Sequence, residues 1–462
     1  MSKTVEEINR KIESGGVRVV TADRMAEVVA ELGPERAADE VDVVTTGTFG
    51  AMCSSGAFLN FGHADPPMRM TRVWLNDVEA YAGVAAVDAY LGATQASRTL
   101  GIGYGGAHVI EDLLRGRRVV LRAVSCGSDC YPRKALLSEV ALADLNQALL
   151  CNPRNAYQRY NAAANSGPRP LHTYMGKLMP GCANVTFSGA GELSPLANDP
   201  GLETIGVGTR ILLGGGTGFV TGAGTQHAPE RGFATLMVQG DLKGMSPEFL
   251  RAASIPGYGA TLYVGIGVPI PVLHAGIARA TAVRDRDIET DIVDYGVPQR
   301  ERPVLGRCSY EQLKSGAVRL RGREVPSSPL SSFLLAGRIA RELKRRIEAG
   351  VFRLSAPAAE LPRRGAAAPL AMRRPARPLP RPGEGPRPRH GREPVAWDGG
   401  RCLSCGSCLN ICPAGVFRRD ASWRVAASPG RCRSCGRCDR VCPAGAIHAG
   451  PLGVPAGGKH GR

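Results

Sequence analysis

Nothing in this chain of 462 residues is long and apolar enough to cross a bilayer. The longest apolar stretch, Thr261 to Leu273, is broken by glycines and prolines and falls short of the roughly 20 residues a spanning helix needs. The opening MSKTVEEINRKIESGG is charged and lacks the apolar run of a signal peptide. A soluble, cytoplasmic protein without a membrane partner is therefore expected. No Gly-x4-Gly-Lys-Ser/Thr loop occurs, which argues against nucleotide hydrolysis. The eight histidines are scattered, with no pair at metal-ligand spacing. His63, His108 and His172 are candidate acid–base groups, although a satisfied structural role is the simpler account of each.

Positive charge is abundant, +17 in all, and unevenly placed. Residues 361–394 carry nine Arg against two Glu, and residues 395–462 ten Lys or Arg against three Asp. Nine prolines alternate with the arginines of 361–394 and no aromatic residue interleaves them. That composition suits an extended, solvated linker better than a nucleic-acid surface, so nucleic acid is not expected as a partner.

Residues 1–350 read as an α/β core domain with buried strands and Gly-rich loops. Helical periodicity predicts helices at 4–14, 22–32, 135–149 and 328–349, the first opened by a Thr4/Glu7 capping box. Short apolar runs at Val41–Val44, Val119–Val124, Asn184–Phe187, Thr235–Val238 and Thr261–Val264 read as strands buried on both faces. Residues 351–394 form the Pro/Arg-rich flexible linker, 395–450 a small α+β ferredoxin-like domain, and 451–462 a tail.

The last of these domains holds eight of the 14 cysteines. Cys402-x2-Cys405-x2-Cys408-x3-Cys412-Pro413 is repeated as Cys432-x2-Cys435-x2-Cys438-x3-Cys442-Pro443. Two such runs signal two 4Fe–4S clusters with crossed ligands: Cys402, Cys405, Cys408 and Cys442 on one, and Cys432, Cys435, Cys438 and Cys412 on the other. Zinc knuckles or disulfides are the competing readings, and neither calls for the Cys-Pro endings or suits a chain with no mark of secretion. The chain therefore moves electrons.

Six cysteines remain, and three of them draw notice. In Val119–Val124-Ser-Cys126-Gly-Ser-Asp-Cys130-Tyr-Pro-Arg133-Lys134, a strand runs into a small-residue turn expected to open a helix. Helix N–H groups, Arg133 and Lys134 would all favour a thiolate there. A reactive thiol, a structural pair and a pair of metal ligands all remain open on the residues alone. Cys53 follows a strand in a loop rich in hydroxyls and glycines, and the two thiol-bearing loops can converge at one sheet edge. Cys151, Cys182 and Cys308 lack nearby cations and read as packing residues. Gly101-x-Gly103-x-x-Gly106 matches a dinucleotide fingerprint by letters, but no strand precedes it and Arg122 falls where an acidic ribose ligand belongs. The glycines of 206–224 fit either an anion-binding backbone or tight turns.

Four segments, TTGTFGAMCSSGAFLNFGHADPP (45–67), LNDVEAYAGVAAVDAYLGATQ (75–95), SDCYPRK (128–134) and GGGTGFVTGAGTQH (214–227), give residues 1–350 a specific look. They resemble the homocysteine biosynthesis proteins, the L-aspartate semialdehyde sulfurtransferases of anaerobic archaea and bacteria. The resemblance implies that Cys130 carries sulfur as a persulfide and that Cys53 is a second functional cysteine. It also implies a ferredoxin-type electron carrier, usually on a separate chain with a further small-molecule-binding-like domain. Here the carrier is fused to the core, and neither that further domain nor the regulatory tandem domain some members bear is expected from these residues.

Turning an aldehyde into a thiol exchanges oxygen for sulfur and adds two electrons, which is why such a core would need clusters. The expected substrates are aspartate semialdehyde and sulfide or another sulfur donor. Cys130 would be the carrier and Cys53 its partner, with Arg133 and Lys134 lowering the thiolate pKa or holding the substrate carboxylate. An acidic ferredoxin or flavodoxin suits the basic cluster domain as electron donor, and self-association into a homo-oligomer stays open. Two alternatives are a ferredoxin-dependent oxidoreductase with a Cys126/Cys130 redox pair, and a non-catalytic electron-transfer scaffold.

Overall fold

Strands dominate, and most pair antiparallel. The computed structural model describes residues 2–365, 370–372 and 394–448. Residues 1–369 and 370–462 form two separate compact units. Among the described residues no helix is long and apolar enough to cross a membrane. The expected tail at 451–462, and residues 373–393 of the expected linker, lie outside the described residues.

The N-terminal unit is built on a nine-stranded antiparallel sheet and two six-stranded sheets, with a small three-stranded sheet beside them. The capping box is formed as expected: Glu7 N–H donates to Thr4 Oγ1 at 3.2 Å and Thr4 N–H to Glu7 Oε2 at 2.7 Å, opening helix Val5–Ser14, which buries Ile8 and Ile12. The helix expected at 22–32 breaks at Gly33 (φ 77°) and Pro34, then runs on to Glu40. Helix Phe333–Glu348, capped by Ser332, buries Ile339, Leu343 and Ile347 and packs on the large sheet and on the small one beside it. It starts later than expected because residues 328–329 close the strand Arg323–Pro329.

Residues 135–149 are not a helix. They form strand Ala135–Val140, a short 3-10 turn and the start of strand Gln147–Asn155. Ala135–Val140 completes a hairpin with Val119–Val124, pairing Ala135 with Val124. Ala148 and Leu150 are buried two apart, the strand period, so pairing overrides the helix propensity of this Ala/Leu-rich stretch. Val119–Val124 and Leu236–Asp241 bury alternate residues only, because their antiparallel sheets leave one face wet. Val43–Thr45 and Val185–Phe187 are buried throughout, as expected.

Gly101–Gly105 is itself a strand and Gly106–Leu114 the helix that follows, so the first two glycines of the fingerprint line no phosphate-binding turn. A Cβ on Gly106 would lie 2.0 Å from the Gly92 carbonyl oxygen, which explains that glycine by close packing. Gly214 and Gly215, both at positive φ, make the two-residue turn between strands Arg210–Leu213 and Gly216–Ala223, the tight-turn reading of that segment.

Residues 351–365, expected to begin the linker, instead pack on the N-terminal unit. Phe352, Leu354 and Leu361 are buried, Asn9 is bonded in both directions to the Leu354 backbone, and His227 Nε2 donates to the Pro362 carbonyl at 2.8 Å. Three large apolar side chains among the prolines anchor a segment that composition alone assigned to solvent.

The C-terminal unit repeats itself. Each half has a cysteine loop and a five-residue helix, Ser407–Ile411 or Arg437–Val441. Positive φ recurs thirty residues apart at Ser404 and Ser434, Gly406 and Gly436, and Gly415 and Gly445. Val395, Val416, Phe417, Val425 and Ile447 form its core together with Cys408 and Cys438.

Candidate active site and iron–sulfur unit

Cys53 sits just beyond strand Thr48–Ala51, which pairs with the long buried strand Gly259–Gly267. Its half-buried thiol lies 3.3 Å from Thr261 Oγ1 on that neighbour. Here it faces a cavity of about 370 Å³ walled by Tyr157, Tyr160, Tyr174, Tyr258 and Met175. Tyr160 donates to the Tyr174 hydroxyl at 3.1 Å, and Tyr174 and Tyr295 share a hydrogen bond of 2.6 Å. Only 5% of the chain is aromatic, yet five of its eleven tyrosines line this cavity or the one beyond it. Sequence reasoning missed them. The available signal was tyrosine in glycine- and asparagine-rich connections, where a large side chain has no core to fill.

Cys126 and Cys130 lie on the turn of the Val119–Val124/Ala135–Val140 hairpin, both exposed and both free thiols. The turn closes through backbone bonds between Ser128 and Tyr131 in both directions, and Ser128 Oγ is 3.5 Å from Cys130 Sγ. No helix begins there, so the helix-dipole argument for a thiolate falls away. Arg133 is turned to the loop after strand Gly56–Asn60, bonding the carbonyls of Pro66 (3.1 Å) and Asp65. The Lys134 stem lies over Gly127. Tyr131 stacks on His63 at 5.8 Å.

Cys53 therefore precedes strand Gly56–Asn60, while the Cys130 turn rests on the residues that follow it. No residue of the 125–134 turn lines the Cys53 cavity. The expected convergence of the two loops is not found within one chain, because a paired strand holds their anchors at its opposite ends.

Three further thiols and two of the candidate histidines lie apart from Cys53 and Cys130. Burial pushes the Cys308 thiol up to about 11 and raises those of Cys151 and Cys182. His108 Nδ1 accepts from Gly105 N–H at the start of its helix, and burial lowers its pKa. His172 Nδ1 is 3.1 Å from the Pro256 carbonyl.

In the C-terminal unit, Cys402, Cys405, Cys408 and Cys442 line one enclosed space together with Trp397, Val425 and Ile447. Burial pushes Cys438 up to about 11, and the nearby thiols of Cys412 and Cys432 further oppose its ionisation. Cys442 thus shares a space with the first three cysteines of the other run, and Cys412 lies near Cys432 and Cys438. Backbone N–H groups of Ser404, Val416, Ser434 and Ala446 donate to the sulfurs of Cys402, Cys412, Cys432 and Cys442 at 3.2–3.4 Å, the support a cluster thiolate needs. Among the described residues no three Cys, His, Asp or Glu side chains close on the volume of a single ion. The donors stand apart around a shared space, which fits a multi-iron group.

A cavity-lining thiol on a mixed α/β unit, joined to such a donor set, defines an iron–sulfur enzyme. Residues 17–354 match the family described as homocysteine biosynthesis enzyme, sulfur-incorporation, and residues 401–447 match the 4Fe-4S dicluster domain. The chain belongs to the homocysteine biosynthesis, sulfur-incorporation family. It is 59% identical over 357 residues to an L-aspartate semialdehyde sulfurtransferase of Methanosarcina acetivorans, covering 77% of this chain and 71% of the relative. A protein of the same name from Methanocaldococcus jannaschii is 54% identical over 368 residues, 76% of this chain and 72% of that one. An uncharacterized protein of Methanothermobacter thermautotrophicus is 33% identical over 69% of this chain and 73% of its own length. No solved structure matches.

Proposed function

We propose that this protein is a reductive sulfurtransferase that makes homocysteine from L-aspartate semialdehyde, the activity its two archaeal relatives are named for. One observation carries the reading: a chain 59% identical to such an enzyme joins a cavity-lining thiol to an iron–sulfur unit on one polypeptide. The balance is R–CHO + H2S + 2e⁻ + 2H⁺ → R–CH2–SH + H2O, so sulfur entering as sulfide requires two electrons. Sulfane sulfur on a cysteine requires two more.

The eight thiols fit two 4Fe–4S clusters in a ferredoxin-like unit, with Cys402, Cys405, Cys408 and Cys442 holding one and Cys432, Cys435, Cys438 and Cys412 the other. When bound, each supplies a single low-potential electron at a time. The basic character of this unit suits an acidic ferredoxin or flavodoxin as donor.

Cys130, exposed on its turn, is the thiol that takes sulfane sulfur from a persulfide donor, which leaves as its thiol, so that uptake itself needs no electrons. Cys53 adds to the aldehyde carbon in the cavity, the oxygen gains protons and departs as water, sulfide bonds the same carbon and expels Cys53, and the thiocarbonyl left takes two electrons to become the thiol. The Tyr160 and Tyr174 hydroxyls line that cavity and can donate to that oxygen. Arg133, engaged with the carbonyls of Asp65 and Pro66, supports the turn, and Lys134 is the cation left to a bound anion there.

The test is anaerobic turnover of cluster-loaded protein with a small-molecule persulfide, a reductant and aspartate semialdehyde, scoring homocysteine. Cys53→Ala and Cys130→Ala are each expected to abolish the product while leaving the visible absorbance intact, and Cys126→Ala to retain most activity. Equal loss in Cys126→Ala and Cys130→Ala with full activity in Cys53→Ala would replace this reading by a Cys126/Cys130 redox pair.

A further inference from the structure

Behind the tyrosine wall lies a second, larger cavity of about 730 Å³, sharing Tyr160 and Tyr174 with the first. Four arginines line it: Arg159, Arg231, Arg300 and Arg302. Among the described residues none of the four pairs with a carboxylate. Arg159 is bonded to the backbone carbonyls of Glu289 and Arg231, and the cavity's Asp291 is taken by Arg307 at 2.9 Å. The Arg302 guanidinium lies 4.0 Å from the Tyr295 ring centre. Its Nε is buried without a hydrogen-bond partner among the described residues. A buried N–H of a cation left without an acceptor is costly, and its natural complement is an anionic oxygen. Glu301, beside it in sequence, lines the same space.

We infer that this cavity is a capture site for the amino-acid end of the substrate, with Arg302 taking the α-carboxylate and Glu301 the α-ammonium. Guanidinium and carboxylate pair by two parallel hydrogen bonds, which selects a carboxylate over a neutral group of equal size. The excess of positive charge draws the ligand in, and the shared Tyr160 and Tyr174 give its aldehyde end a path towards Cys53. The inference rests on the sulfurtransferase reading for the identity of the aldehyde, and on the cavity alone for the class of ligand.

The test uses the full, cluster-loaded chain and two unreactive probes. L-Homoserine keeps the amino-acid end, whereas 3-amino-1-propanol lacks the carboxylate. By calorimetry the wild type should bind L-homoserine at least about tenfold tighter than 3-amino-1-propanol. Arg302→Gln should remove that preference, Arg302→Lys should restore part of it, and Arg319→Gln, an exposed arginine elsewhere on the unit, should not change it. In turnover, the Arg302→Gln defect should fall on KM for aspartate semialdehyde by about tenfold and much less on kcat. Preference for L-homoserine that survives Arg302→Gln, or that the wild type never shows, overturns the inference. Carboxylate binding that depends on Arg302 in a protein that makes no homocysteine supports the capture site and refutes the reaction instead.

Discussion

Gly47 lies in the segment Thr45-Thr46-Gly47-Thr48, shortly before Cys53, where a glycine invites a chemical explanation. The structure gives it a packing role. A Cβ at this position would stand 2.1 Å from the Ala336 carbonyl oxygen and 3.1 Å from the Ala340 nitrogen, intruding on a turn of helix Phe333–Glu348. Relief requires the helix to retreat by about 1 Å, since ordinary contacts begin near 3.5 Å. The helix is seated by Ile339, whose atoms come within 2.7 Å and 3.0 Å of the Cβ positions of Gly265 and Gly267, and retreat would strip that contact. With a backbone atom as the obstacle, the cost of Gly47→Ala should reach the upper part of the overpacking range, about 3 kcal/mol. At about 2.1 cal/mol/K per residue over roughly 360 residues, the N-terminal unit should melt about 4 °C lower in scanning calorimetry. Specific activity measured well below the transition should be kept. A melting temperature within about 1 °C of wild type, with homocysteine formation lost, would move Gly47 from packing to chemistry and refute the argument.

Phe352→Ala in the full chain should destabilise the N-terminal unit by about 3 kcal/mol in urea, because its side chain is buried; a change below about 0.5 kcal/mol would return residues 351–365 to the linker. Cys412→Ala should leave the same electron paramagnetic resonance signal as Cys432→Ala, and a match to Cys402→Ala would undo the crossed ligation. Arg345 and Arg346 hold the Glu342 carboxyl down to about 2 by hydrogen bonds and charge. A depressed carboxyl adds stability above its unfolded pKa and loses it as pH falls towards the folded one. Unfolding free energies of wild type and Glu342→Gln should therefore differ at pH 7 and converge between about pH 4.5 and 2; a gap constant over that window would mean that the ion pairs contribute nothing.

The parts of the fold that could be read from sequence are those specified locally. The capping box at Thr4 and Glu7 and the helix expected at 328–349 are set by neighbours a few residues apart, and the box forms where its pattern put it while the helix starts five residues late. What failed was decided by distant partners. Ala135–Val140 has helix-forming composition, and only the open edge of Val119–Val124 makes it a strand. The Cys53 cavity draws its wall from residues 157, 160, 174 and 258, brought together by strand order and not by spacing. Residues 351–365 read as linker because proline and arginine outnumber the three apolar side chains that dock. Cys53 itself was legible only as a thiol after a strand; the tyrosines that make it a site were not.

On the proposed function the two cysteines meet opposite demands on access. A thiol that takes sulfur from a donor must be reachable, and Cys130 is exposed on its turn. A thiol that acts on an aldehyde needs a site from which water is excluded, since hydration of the carbonyl and hydrolysis of a thiocarbonyl both consume the reactant. Cys53 lies half-buried among tyrosines in a cavity of about 370 Å³, too narrow for a protein donor. One cysteine cannot satisfy both conditions. With a paired strand between their anchors, the hairpin of a single chain does not reach the Cys53 cavity in this conformation. On the proposed function, persulfide sulfur at Cys130 would reach the aldehyde as sulfide, released by two electrons, or would be delivered into the cavity of a neighbouring copy. Either route keeps the surface thiol chemically distinct from the thiol at the carbonyl.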